Sequence, residues 1–151
     1  MGHYFALVVS DEPSDFSINE LMAPYYQGTD GVPEDFLEFV EDECEDFDET
    51  AGRHGYWTNA YGYWDWFEIG GGYADILRTK DGTCTNQCQL MELAKLVDDG
   101  MVAPHALVDE DGWHDWSSLL SAEAASTFHA YLEDLELYYP DAWLTVVDYH
   151  A

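Results

Sequence analysis

The run EDFLEFVEDECEDFDE, residues 34–49, places ten carboxylates in sixteen residues with no basic residue among them. Unpaired ionised carboxylates stay in water, so this stretch forms surface whatever the rest of the chain folds into. Phe36, Val40, Cys44 and Phe47 recur at i, i+4, i+8 and i+11, one helical stripe with acids at nearly every remaining position. The pattern predicts an acidic helix near 34–49. Sixteen helical residues span about 24 Å at 1.5 Å per residue, a length over which B-DNA carries roughly fourteen charges. Such a rod approaches the line charge of a duplex, and the plainer alternative is a solvated helix face.

The rest of the chain extends the imbalance. Thirty-two acidic residues stand against Arg53, Arg78, Lys80 and Lys95, for a formal net charge of −28. Affinity for phosphate comes from Lys and Arg, so direct nucleic-acid binding is excluded, and attachment to an anionic membrane is disfavoured by the same argument. Cationic surfaces, divalent metals, and proteins whose usual ligand is a polyanion are the partners such a chain suits. Adaptation to high salt is the competing explanation of the charge. Hydrophobic residues make up 47% and aromatics 16%, which argues against disorder. At 151 residues the chain fits one domain. No basic leader precedes the short apolar run at the N-terminus and no segment approaches membrane-spanning length, so a cytoplasmic protein is expected.

HYFALVV, from His3 to Val9, reads as a buried strand ended by SDEPSD, and 17–33, with two prolines and two glycines, as irregular. Residues 51–62 read as a loop, Tyr63 to Ile69 as a strand, and YADILRT after the glycines at 70–72 as a second strand in a hairpin. Leu90, Leu93, Ala94 and Val97 predict a helix over 86–97, closed by DDG at 98–100. His105 to Val108 and Trp113 to Trp116 flank DEDG as a β-hairpin. A helix is expected from an N-cap at Ser121 to about Leu137, with Ala125, Phe128, Leu132 and Leu135 inward, and AWLTVVD at 142–148 as a last strand. The order predicts a single α+β domain over 1–151, a mostly antiparallel sheet with two or three helices packed against it.

Candidate chemistry is sparse. Cys44, Cys84 and Cys88 are an odd set; the C-x3-C pair lacks the second close pair of a structural zinc site, so neither metal nor cofactor is expected. DEDGWHD shares only its acids with a calcium loop. There is no G-x-S-x-G, P-loop or Rossmann glycine pattern. Asp148 and His150, two apart, share a face if the last strand continues, and with Asp65 or Glu68 they could form an acid–base site near the glycines. Structural hydrogen bonds are the plainer role for that Asp and His. The aromatics of 56–67 lack the positive charge of a base-stacking platform and suit the core and a protein-contact patch.

Three segments carry a resemblance. YFALVV followed by LMAPYYQ, then YWDWFEIGGGY, then WLTVVDYHA resemble, in order and spacing, a family of small phage-encoded proteins with a WDW-x-x-I-G-G signature and a C-terminal V-V-D-x-H piece. Residues 30–60 diverge from it. Where the family has Lys, Arg and Cys this chain has Tyr63, Gly72 and Tyr149, so two positive charges and a thiol are absent. The resemblance implies a viral protein acting inside a bacterial cell and supplies no activity.

The leading expectation is therefore a non-enzymatic phage inhibitor that mimics nucleic acid. It would present Glu34, Asp35, Glu38, Glu41, Asp42, Glu43, Glu45, Asp46, Asp48 and Glu49 to the basic groove of a host defence effector of restriction or CRISPR type. The rival is an enzyme or small-molecule binder using Asp65, Glu68, Asp148 and His150 in a concave site. A structural protein gripping a basic partner shares the surface of the first. Oligomeric state is left open.

Overall fold

A computed structural model describes residues 2–96, 104–116 and 121–151. Along the chain run β1 (His3–Ser10), α1 (Asp15–Met22), β2 (Leu37–Glu41), β3 (Phe47–Asp48), β4 (Arg53–Asn59), β5 (Trp66–Ile69) and β6 (Leu77–Thr79). They are followed by β7 (Cys84–Thr85), β8 (Gln87–Gln89), β9 (Leu93–Leu96), β10 (Ala106–Asp109), β11 (Gly112–Asp115), α2 (Ser121–Tyr138) and β12 (Trp143–His150). Short 3-10 turns occupy Ala23–Tyr25, Glu34–Phe36, Gly71–Tyr73 and Leu90–Glu92. The fold is α+β in one domain, with mostly antiparallel sheets and, among the described residues, two α-helices.

The two apolar runs at the ends of the chain make its centre. β1 and β12 pair antiparallel from His3↔His150 to Ser10↔Trp143 within a sheet of order β11-β10-β1-β12-β5, and β8 also pairs with β12. The β1–β10 pairing is parallel. Strands covered on both faces need apolar residues at every position, which is why these runs do not alternate. Phe5, Leu7, Val9, Leu144 and Val146 face a core built with Phe128, Leu132 and Leu135 of α2 and with Leu77, Leu90 and Leu93. Ala6, Val8 and Val147 face the other way, onto Ile18 and Met22 of α1 and onto Tyr25.

The β10–β11 hairpin and α2 follow the sequence pattern, although Ala125 is only half-buried. The side chain of Ser121, Val97 and DDG at 98–100 lie outside the described residues. Residues 17–22, expected to be irregular, belong to α1: Ser14 Oγ accepts from Ser17 N at 3.2 Å as an N-cap, and Ile18 and Met22 share one buried face. Residues 86–96 are not helical but form β8, a 3-10 turn and β9; β8 is pinned to β12, and β9 to β6, which edge pairing favours over a short amphipathic helix. The expected hairpin across the glycines at 70–72 is also absent. β5 pairs with β12, whereas β6 pairs with β7 and β9, so the glycines cross between sheets.

The acidic run is not a helix. Glu34–Phe36 is a 3-10 turn, and β2 and β3 flank the predicted loop 51–62, whose centre is β4, in a three-stranded sheet of order β2-β4-β3. A helix would stack Glu34/Glu38, Glu38/Asp42, Glu41/Glu45, Asp42/Asp46 and Glu45/Glu49 at like-charged spacing, each unfavourable by about 0.2–0.5 kcal/mol. An extended chain rises about 3.3 Å per residue and alternates its faces, spreading the same charges apart. Gly55 permits the tight pairing: a Cβ there would lie 2.1 Å from the Val40 carbonyl oxygen.

None of residues 33–58 is buried. This sheet is an ordered arm without a core, held at its root by Asn59, whose Nδ2 donates to the Pro24 and Tyr26 carbonyls at 2.7 Å each. Phe36 adds edge contacts to Tyr25 and Tyr61.

Candidate functional site

The arm holds all ten carboxylates singled out in the sequence, on a ribbon rather than a rod. Glu34, Asp35, Glu38, Glu41, Glu43, Glu45, Asp46 and Glu49 are exposed, and Asp42 and Asp48 are half-buried. Those two serve the arm itself: Asp42 Oδ1 accepts from Cys44 N, and Asp48 accepts from Ala51 N and from Trp57 Nε1, each at 2.9 Å. Glu41 pairs with Arg53 at 3.2 Å. The remaining exposed acids have no cationic partner among the described residues, because the four ion pairs found involve other carboxylates or Glu41.

The two faces of the arm differ. By register Phe39, Glu41, Asp48, Arg53 and Trp57 share one face, where the Arg53 guanidinium lies 5.0 Å from the Phe39 ring centre and Phe39 meets Trp57 edge to face. Glu38, Val40, Phe47, His54, Tyr56 and Thr58 share the other. There Phe47 is 55% and Tyr56 46% exposed.

The four residues of the rival site also come together. Asp148 lies across from Glu68 in the β12–β5 pair, and Asp65, just before β5, meets His150: Nδ1 stands 2.7 Å from Asp65 Oδ1. Asp148 is only 2% exposed, and its Oδ1 is 2.9 Å from His3 Nδ1 while its Oδ2 accepts from Gly72 N at 2.8 Å. A carboxylate only accepts, so in both pairs Nδ1 carries a proton, which leaves Nε2 as the ring atom that can exchange one. The two imidazoles lie 5.4 Å apart, centre to centre. Each is a base oriented by an acid, the arrangement that proton transfer uses. Gly71 explains the glycine run: its Cβ would come within 2.5 Å of Asp148 Oδ2, so only glycine lets the chain close over that carboxylate.

Concavity is poorly matched to this cluster. An open cavity of about 490 Å³ is lined by Tyr26, Asp30, Trp64, Asp65 and Trp66, reaching Asp65 but not Glu68, Asp148 or the glycine turn. Among the described residues no group of three or more His, Cys, Asp or Glu side chains is arranged to hold a metal ion. Cys44 and Cys84 are exposed and Cys88 is buried.

Sequence reasoning missed His3, which only the end-to-end register of β1 on β12 sets opposite His150. It also left Asp109 without a role. That carboxylate is buried in the hairpin turn, where it accepts from Asp111 N, Gly112 N, His114 Nε2 and the Tyr131 hydroxyl. Burial first, then the hydrogen bond to Asp109 and the charge of that carboxylate, push the Tyr131 hydroxyl well above the ordinary tyrosine range. This saturated cluster ties α2 to the hairpin. Among the described residues no helix is long and apolar enough to cross a membrane. No known protein family, curated protein or solved structure matches the chain, so its own geometry carries the functional argument.

Proposed function

We propose that this chain is an acidic binding protein, a phage-encoded inhibitor that occupies the basic nucleic-acid-binding groove of a host defence effector with the arm over residues 34–59. One observation carries the reading: an ordered 26-residue stretch, 33–58, in which no side chain is buried and eight exposed carboxylates are displayed. Ordering a residue costs about 1–2 kcal/mol of backbone entropy, normally offset by burial. Apart from Phe36, which packs on Tyr25 at the root, the segment gives the core little, and such a segment is the part of a fold whose work lies outside the molecule. Its charge steers it to a cationic groove and repels nucleic acid from the same place. The exposed apolar residues among the acids supply the anchors that charge alone lacks.

The test is a charge-matched comparison on tagged protein in bacterial lysate, eluted with duplex DNA. One variant reverses Glu38, Glu43, Glu45 and Glu49 to Lys; the other reverses Asp11, Glu12, Glu110 and Glu133, exposed acids of the body. The reading expects nucleic-acid-binding proteins that DNA releases, retained by the body variant and lost by the arm variant. Equal loss from both variants, or captured proteins that DNA does not release, would overturn it.

A second reading rests on the convergence of His3, Asp65, Glu68, Asp148 and His150 from three separated segments. It makes this end of the β1–β12–β5 strands a proton-transfer site acting on a small molecule bound beside Asp65. Turnover in a panel of ester and phosphoester substrates that disappears in His150→Ala and His3→Ala would support it; a panel without turnover would remove it.

A further inference from the structure

Resting on the reading of the arm as a docking element, we infer that its open face recognises arginine specifically, and that the partner contributes guanidinium groups to Tyr56 and Phe47 rather than a merely positive surface. The opposite face, which carries Arg53, supplies the pattern. There the chain's own Arg53 lies over Phe39 at 5.0 Å and pairs with Glu41 at 3.2 Å, so one guanidinium takes an aromatic face and a carboxylate together. The open face repeats the ingredients without an arginine; its one basic side chain is His54, which meets the Phe47 ring edge to face at 5.3 Å between centres. Tyr56 and Phe47 stand about half exposed there, Val40 sits across from Tyr56, and Glu38 shares the face by register. Glu43, Glu45 and Asp46, all exposed, line the connection from β2 to β3 beside Phe47.

A guanidinium suits this surface better than an ammonium. It is flat, weakly hydrated and forked, so it stacks on a ring while donating to a carboxylate, whereas lysine is a compact, strongly hydrated point charge. The arm sets ten carboxylates against one arginine, Arg53, and one histidine, His54, which fixes the sign of the occupant. The aromatics then select among cations.

The experiment measures fluorescence anisotropy of labelled nona-arginine and nona-lysine peptides with the whole protein at low ionic strength. Two stacked guanidinium groups predict about ten-fold tighter binding of the arginine peptide. The variant Phe47→Leu, Tyr56→Leu keeps the face apolar but removes both rings, and it is expected to bring that ratio close to one, with nona-lysine binding weakened far less than nona-arginine binding. Amide exchange over Arg53–Asn59 checks that its arm stays paired; a variant with an unpaired arm is replaced by the single change Tyr56→Leu, expected to at least halve the ratio. Equal binding of the two peptides by the wild type, or a ratio that survives ring removal, overturns arginine recognition and leaves the charge reading standing. Failure of both peptides to bind overturns this inference and the docking reading beneath it.

Discussion

Replacing Gly55 with alanine should open the arm and leave the body intact. An added Cβ would lie 2.1 Å from the Val40 carbonyl oxygen and 2.6 Å from the tip of the Phe39 ring, on a backbone at φ +154°. Contacts with that oxygen must relax by about an ångström, so β2 and β4 part near Val40↔Tyr56 and Glu41↔Gly55. Two ladder hydrogen bonds at about 0.5–1.5 kcal/mol each, with the strain of the residual contact, put the loss for the arm at roughly 2–4 kcal/mol. No residue from 33 to 58 is buried, so the core should lose less than about 0.5 kcal/mol. Amide hydrogen exchange read by mass spectrometry separates the two. Peptides over Leu37–Glu41 and Arg53–Asn59 should exchange faster by at least about thirty-fold, and those over His3–Ser10 and Trp143–His150 should not change. Equal acceleration in β1 and β12 would refute the argument, because it would make the arm part of the cooperative core.

Three further outcomes follow from the geometry. Asp148→Ala strands the Gly72 N–H and the His3 ring, and should destabilise the chain by about 1–3 kcal/mol in urea unfolding, with Asp148→Asn losing less. Burial holds the His105 imidazole below its ordinary value, so the unfolded chain binds a proton before the folded one as pH drops. Stability should therefore fall as pH decreases through about 6.5 and level off below the folded value, with a shallower slope in His105→Asn; urea midpoints between about pH 5 and 8 read it. Burial, with Glu92 nearby, pushes the Cys88 thiol up to about 11, while Cys44 and Cys84 are exposed. Thiol alkylation near neutral pH should modify Cys44 and Cys84 quickly and Cys88 only on unfolding.

What the sequence displayed depended on where each residue's constraint lay. β1, β12, the β10–β11 hairpin and α2 were legible because burial on one or two faces prints a period or an unbroken apolar run. The stripe Phe36, Val40, Cys44 and Phe47 imitated a helix by coincidence. Val40 and Phe47 lie on the open face of the arm, whereas Phe36 packs on Tyr25 at its root. Leu90 and Leu93 imitated one too, being buried from a 3-10 turn and from the start of β9. Like-charge repulsion along 34–49 was visible in the sequence and was the signal that argued against the helix. Asp65, Glu68, Asp148 and His150 could be guessed as a group from spacing and residue type. His3 could not, since its place opposite His150 is a property of strand register, which no local pattern encodes.

Carboxylates displayed for a partner and carboxylates that hold a chain folded in brine respond differently to salt, and thermal unfolding followed by circular dichroism at low and high salt separates the two. A docking arm on a self-sufficient core predicts a cooperative transition at about 50 mM sodium chloride, with the midpoint rising modestly at about 2 M as repulsion is screened. A chain unfolded at the lower concentration, folding only in molar salt, would rule out a docking role for the carboxylates and assign the charge to a saline solvent.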